Sequence, residues 1–177
     1  MEKCQFCKKS SVECVCKEKQ QWNNMIDSSV FLGAYDEGEY SQDCKILIEG
    51  AGRKKYFGTI TTLILGEIMK KMIEIKKEDS CRFESIFEEI LNILSEFHTY
   101  YICKETIDLR KNITERHPKE SHDLINLACA IKNKCSLFIM LDDRFSQVPK
   151  RGETEVVQIT NRNHPKLKIL LNKLNIL

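Results

Sequence analysis

Residues 121–143 read SHDLINLACAIKNKCSLFIMLDD, and this stretch decides the fold. Its first half spaces Leu124, Leu127, Ala128 and Ile131 along the inner face of a helix that Ser121 caps. Its second half, Leu137 to Leu141, is a near-continuous apolar run, the mark of a strand buried on both faces. The run ends on Asp142. In an open parallel sheet, that position faces the ligand crevice at the carboxyl ends of the strands.

The same alternation extends in both directions. Trp22 to Ile26 reads as a strand ending at Asp27, after which Ser28 and Ser29 offer caps for a short helical turn over Val30 to Tyr35. Ser41 to Glu49 carries Cys44, Leu47 and Ile48 at helical spacing, and Lys55 to Ile60 is β-like. Thr61 or Thr62 then caps a helix reaching about Ile75, with Glu67 in its second turn. Phe83 to Phe97 is the clearest helix, with Phe83, Ile86, Phe87, Ile90, Leu91 and Leu94 forming a stripe read as core. Thr99 to Cys103 is β-rich. A charged helix from Glu105 to about Arg116 breaks at His117-Pro118. Val156 to Thr160 makes a last strand, and Pro165 starts a terminal helix. Strands alternating with helices predict an α/β fold with a mainly parallel sheet.

The 177 residues suffice for one domain with a sizeable core and a small appendage. Hydrophobic residues make up 42% and charged residues 31%, which excludes a disordered or fibrous chain. With 28 basic and 26 acidic residues the net charge is +2, so bulk charge does not announce a nucleic-acid binder. The apolar runs are too short to span a membrane. An odd cysteine count and a polar, Lys-rich start point to a reducing, cytoplasmic setting.

The nine cysteines divide the chain. Cys4, Cys7, Cys14 and Cys16 crowd a segment too short to build its own core. Four thiolates suit tetrahedral zinc, whose binding can supply the folding energy that burial cannot. Two disulfides or a redox Cys-x-x-Cys are the alternatives, although a redox motif needs a strand-to-helix context this stretch lacks. Cys44, Cys81, Cys103, Cys129 and Cys135 are scattered singly and read as small buried hydrophobes. The polar bridge KEKQQWN (17–23) separates a zinc-binding module over 1–20 from a main domain over 24–177.

Four carboxylates occupy chemically informative positions: Asp27 and Asp142 directly after strands, Glu67 in a second helical turn, and Asp123 in the first turn after Ser121. Brought together they would repel one another, and hard oxygen donors in such a set select Mg²⁺ or Mn²⁺. Such ions lower the pKa of bound water and neutralise charge on a phosphodiester. Each acid also has a plain structural explanation. Asp27 alone is explained by helix capping, Asp123 by the helix dipole, and Asp143 competes with Asp142. Glu67, among Leu65, Ile68 and Met69, needs a partner if buried.

The stretches MIDSSVFLGAYDEGEYSQD (25–43), TTLILGEIMKKM (61–72) and SHDLINLACAIKNKCSLFIMLDDRF (121–145) together resemble PIN-domain nucleases over roughly residues 24–160. The resemblance makes Asp27 the first acid with Ser29 as its polar neighbour, Glu67 the second, Asp123 the third and Asp142 the fourth. Ser29 stands where Asn is commoner. Met140 stands where a Thr or Ser often precedes the last acid, removing a hydroxyl from near the metal. The four-cysteine segment lies outside the family pattern. The resemblance implies a five-stranded parallel sheet flanked by helices, a Mg²⁺ or Mn²⁺ site, and endonucleolytic cleavage of RNA. It leaves room for an antitoxin-like or RNA-processing partner protein, and for a homodimer.

Phosphate attraction would come from Arg53-Lys54-Lys55, the KKMIEIKK run at 70–77, Arg110, Lys111, Arg116 and Lys119, unless these are solvated faces. After Phe145 six basic residues (Lys150, Arg151, Arg162, Lys166, Lys168, Lys173) face two acidic ones, Glu153 and Glu155. Phe6 and the lysines of the first 19 residues would let a zinc knuckle grip a single strand. A structural cap or a docking piece fits that segment equally. His122 adjoins Asp123, but successive helix positions diverge by about 100°, placing it beside the site. His98, His117 and His164 read as isolated. The rival functions are a non-catalytic RNA-binding or assembly protein, and a small-molecule phosphohydrolase, for which a phosphate-binding loop is missing.

Overall fold

The computed structural model describes residues 23–114, 121–141 and 154–175. In chain order the elements are β1 (Asn23–Ile26), α1 (Ser28–Gly33), α2 (Ser41–Gly52), β2 (Phe57–Thr61), α3 (Thr62–Glu78) and α4 (Ser80–Ser95). They continue with β3 (His98–Tyr100), α5 (Lys104–Thr114), α6 (Ser121–Lys132), β4 (Leu137–Met140), β5 (Glu155–Gln158) and α7 (Pro165–Asn175). The strands form one five-stranded sheet in the order β3-β2-β1-β4-β5, and every pairing is parallel.

The sequence pattern explains this order. β1 and β4 lie at the centre, and all eight of their residues are buried. Such strands need side chains that satisfy two covered faces, which Leu137-Phe138-Ile139-Met140 supplies and a polar alternation would not. On one face, Gly58 of β2 lets the strand approach α2 and the chain after α4. A Cβ there would sit 2.5 Å from the Ala51 Cβ and 2.8 Å from the Phe97 ring. The opposite face meets α6, where Thr61 Oγ1 donates to Asn126 Oδ1 at 2.6 Å. The core around β1 and β4 includes Met25, Ile26, Phe31, Leu47, Ile64, Leu124 and Phe138, each fully buried.

Four expectations change. The cap of α1 is Asp27, whose carboxylate accepts from the Ser29 N–H, so the serines open the helix rather than precede it. The α4 stripe is only partly core. Ile90 and Leu94 are buried, Phe83, Ile86 and Phe87 are half-covered against the core, and Leu91, beside the buried Ile90, is 40% exposed. Of the scattered cysteines, Cys44, Cys129 and Cys135 are buried, but Cys81 is exposed and Cys103 half-exposed. Burial pushes the thiols of Cys44 and Cys135 up to about 12 and that of Cys129 to about 11. Cys103 goes the other way, lowered first by the Lys132 ammonium 2.7 Å from its sulfur. His164 is not isolated, since its Nε2 lies 3.0 Å from Glu155 Oε1, and His98 packs between the rings of Phe57 and Tyr100.

Candidate active site

The chain builds β1, β2 and β3 outward on one side, then returns to place β4 and β5 on the other. The strand order therefore reverses between β1 and β4, and the crevice beyond their carboxyl ends is where parallel sheets bind ligands. Asp27 stands at the end of β1, and Leu141 at the end of β4. α3 leaves the adjacent end of β2 with Glu67 in its second turn. α6 begins at this same end, because it must run back along the sheet to enter β4.

Hydrogen bonds tie these pieces together. Asp27 is 3% exposed, and its Oδ2 accepts from the Ser29 N–H at 3.0 Å and the Ser29 hydroxyl at 2.7 Å. A buried carboxylate stays tolerable only with such partners. The Ser29 oxygen in turn accepts from the Leu141 N–H at 3.1 Å, and the Asp27 N–H donates to Ile139 O at 2.8 Å. Ser29 thus couples the first acid to the residue immediately before Asp142.

Glu67 makes the second link, through both of its oxygens. Ser28, next to Asp27, donates its hydroxyl to Glu67 Oε2 at 2.7 Å. His122, next to Asp123, places Nδ1 3.2 Å from Glu67 Oε1. The Glu67 side chain is 26% exposed and so needs these partners less for burial than for orientation. Asp27, Glu67 and Asp123 are therefore gathered at one end of the sheet through their neighbours. Asp142, like Cys4, Cys7, Cys14 and Cys16, lies outside the described residues.

Two participants were not singled out from sequence. His122 was placed aside by the turn between successive helical residues. Glu67 approaches from another helix and meets the imidazole part way. Ser28 was read as a cap, yet its hydroxyl serves Glu67. The available signal for both was a polar hydrogen-bonding residue directly flanking an acid.

The donor set is made of carboxylate oxygens, which fits a hard divalent cation. Among the described residues, no three His, Cys, Asp or Glu side chains converge as placed to hold a metal ion. Glu67 directs both oxygens to Ser28 and His122, so a metal bound here would engage a carboxylate already held by its neighbours.

Much of the basic surface is ion-paired. Arg53 meets Glu49 at 2.9 Å, Lys54 meets Glu96 at 2.9 Å, Lys71 meets Glu74 at 3.3 Å and Arg162 meets Asp43 at 2.8 Å. These four are solvated faces first. Arg116, Lys119, Lys150 and Arg151 lie outside the described residues. Among the described residues, no helix is long and apolar enough to cross a membrane.

The profile of the PIN domain family matches residues 25–151, well over half of the chain. Comparison with curated proteins yields no match. Solved structures share the fold at low identity. PAE2754 from Pyrobaculum aerophilum has a TM-score of 0.58 at 12% identity, covering 88% of this chain and 98% of its own. A toxin–antitoxin complex from Klebsiella pneumoniae has a TM-score of 0.53 at 16% identity, covering 77% and 97%. VapC20 of Mycobacterium tuberculosis, a toxin that cleaves the sarcin–ricin loop, has a TM-score of 0.51 at 12% identity, covering 70% and 92%.

Proposed function

Because the chain belongs to the PIN-domain family, we propose that it is a divalent-metal-dependent endoribonuclease. The observation that carries this reading is the joining of three acids' immediate surroundings at the strand-order reversal, by the hydrogen bonds of Ser28 and Ser29 and the 3.2 Å approach of His122 to Glu67. Asp27, Glu67, Asp123 and Asp142 would hold Mg²⁺ or Mn²⁺. Bound there, the ion would lower the pKa of water and neutralise charge on the phosphodiester.

The chain's own residues prepare that site. Asp27 is fixed at the end of β1 by its two bonds from Ser29, so its geometry is set before any ligand arrives. Ser29 also holds the end of β4, and with it the start of the segment carrying Asp142. Glu67 is restrained between Ser28 and His122, which spares part of the ordering cost on binding. Like-charged carboxylates gathered in this way raise the local affinity for cations.

An RNA substrate follows from the family and accords with the loop-cleaving activity of VapC20. The toxin–antitoxin neighbours extend the proposal to an antitoxin-like partner protein. We further propose that Cys4, Cys7, Cys14 and Cys16 hold a structural Zn²⁺ in a module over 1–20, ahead of the nuclease domain over 24–177. The test is incubation of purified full-length protein with structured RNA in Mn²⁺, Mg²⁺ or chelator. Metal-dependent internal cleavage is the expected result. Binding of RNA without cleavage in either metal would favour a non-catalytic RNA-binding or assembly role.

A further inference from the structure

We infer that His122 is a positioning residue that sets the carboxylate of Glu67 for the metal. The inference rests on the reading of Glu67 as a metal ligand. Glu67 lies in α3 and His122 in α6, so their contact joins two helices across the mouth of the crevice. The imidazole is 61% exposed, and a polar contact so open to water contributes little to folding. Its geometry has a more specific consequence. The Nδ1 edge of the ring lies 3.2 Å from Glu67 Oε1, against the one carboxylate oxygen that Ser28 does not hold.

Ser28 occupies Oε2 at 2.7 Å, which leaves Oε1 free to swing unless a second group holds it. A glutamate has three rotatable side-chain bonds, and on a helix its head moves over several ångströms when unrestrained. His122 supplies the second restraint and ties it to the residue next to Asp123. Neighbours that orient a metal-ligating carboxylate commonly change metal affinity by about 10- to 100-fold when removed. With Ser28 still in place, the expected loss here is at the lower end, roughly ten-fold.

The experiment measures Mn²⁺ binding to full-length protein by calorimetry, alongside thermal unfolding of the metal-free form. The Asn amide nitrogen reaches the position of Nδ1, whereas the Gln amide reaches that of Nε2. His122→Ala and His122→Gln should each weaken Mn²⁺ binding roughly ten-fold with unchanged thermal midpoints, and His122→Asn should restore it to within about three-fold. Equal Mn²⁺ affinity in wild type and His122→Ala overturns the inference while leaving the nuclease reading intact. The predicted affinity series in a wild type that cleaves no RNA upholds the inference and overturns the nuclease reading.

Discussion

The two ends of the central strands use polar side chains in different ways. At the amino end, Asn133 Nδ2 donates to Cys129 O at 2.8 Å, Thr154 Oγ1 donates to Cys135 O at 2.6 Å, and Asn23 Nδ2 donates to Asn133 O at 3.5 Å. These groups are uncharged, and they donate to main-chain carbonyls. At the carboxyl end, Ser28, Ser29 and His122 direct their polar atoms at two carboxylates. The amino end closes the fold. The carboxyl end instead spends its polar side chains on two carboxylates, Asp27 and Glu67.

The largest expected difference is catalytic. Asp27→Asn and Asp123→Asn should each lower RNA cleavage in Mn²⁺ by at least about a hundred-fold, measured under single-turnover conditions. Asn is as good a helix cap as Asp, so Asp27→Asn should keep its fold by circular dichroism. Full activity in either variant would remove the distinction between the two ends.

Ser29→Ala probes the carboxyl end through stability as well. It deletes the bond to Asp27 and leaves the Leu141 N–H without its acceptor, which should cost about 1–3 kcal/mol in urea unfolding. Cleavage should fall at the same time. Thr154→Val probes the amino end. Loss of its bond to Cys135 O should cost about 1 kcal/mol, with cleavage per folded molecule unchanged. A Thr154→Val protein of normal stability but reduced activity would show that the two ends are not separable.

How much of this was legible beforehand depends on how local each feature is. The β4 run and the cap at Thr61 are local patterns, and the observed elements follow them closely. The order of strands and the reversal between β1 and β4 are set by distant pairing, and the sequence reached only a five-stranded parallel sheet, through family resemblance. The stripe of α4 misled because periodicity marks which side faces inward, not how wide a strip of it is covered. Cys81 and Cys103 misled because the small apolar side chain of a lone cysteine does not fix its burial. The contact between Glu67 and His122 crosses two helices, and spacing within either one could not show it.

The smallest expected effect concerns the thiols. Cys103, its pKa lowered by Lys132, carries more thiolate at neutral pH than an ordinary thiol, and the buried thiols carry far less. Among the five cysteines beyond the N-terminal segment, iodoacetamide should modify Cys103 and Cys81 first, read by peptide mapping. Lys132→Ala should slow the reaction at Cys103 alone. Rapid labelling of Cys135 in folded protein would contradict the burial described for the amino end.

The most direct test of the central claim is the anomalous scattering of a crystal of the full-length protein soaked in Mn²⁺. A peak within about 2.2 Å of oxygens from Asp27, Glu67 or Asp123, with Asp142 completing the set, is the predicted result. A site populated elsewhere, with this crevice empty at saturating Mn²⁺, would contradict the account.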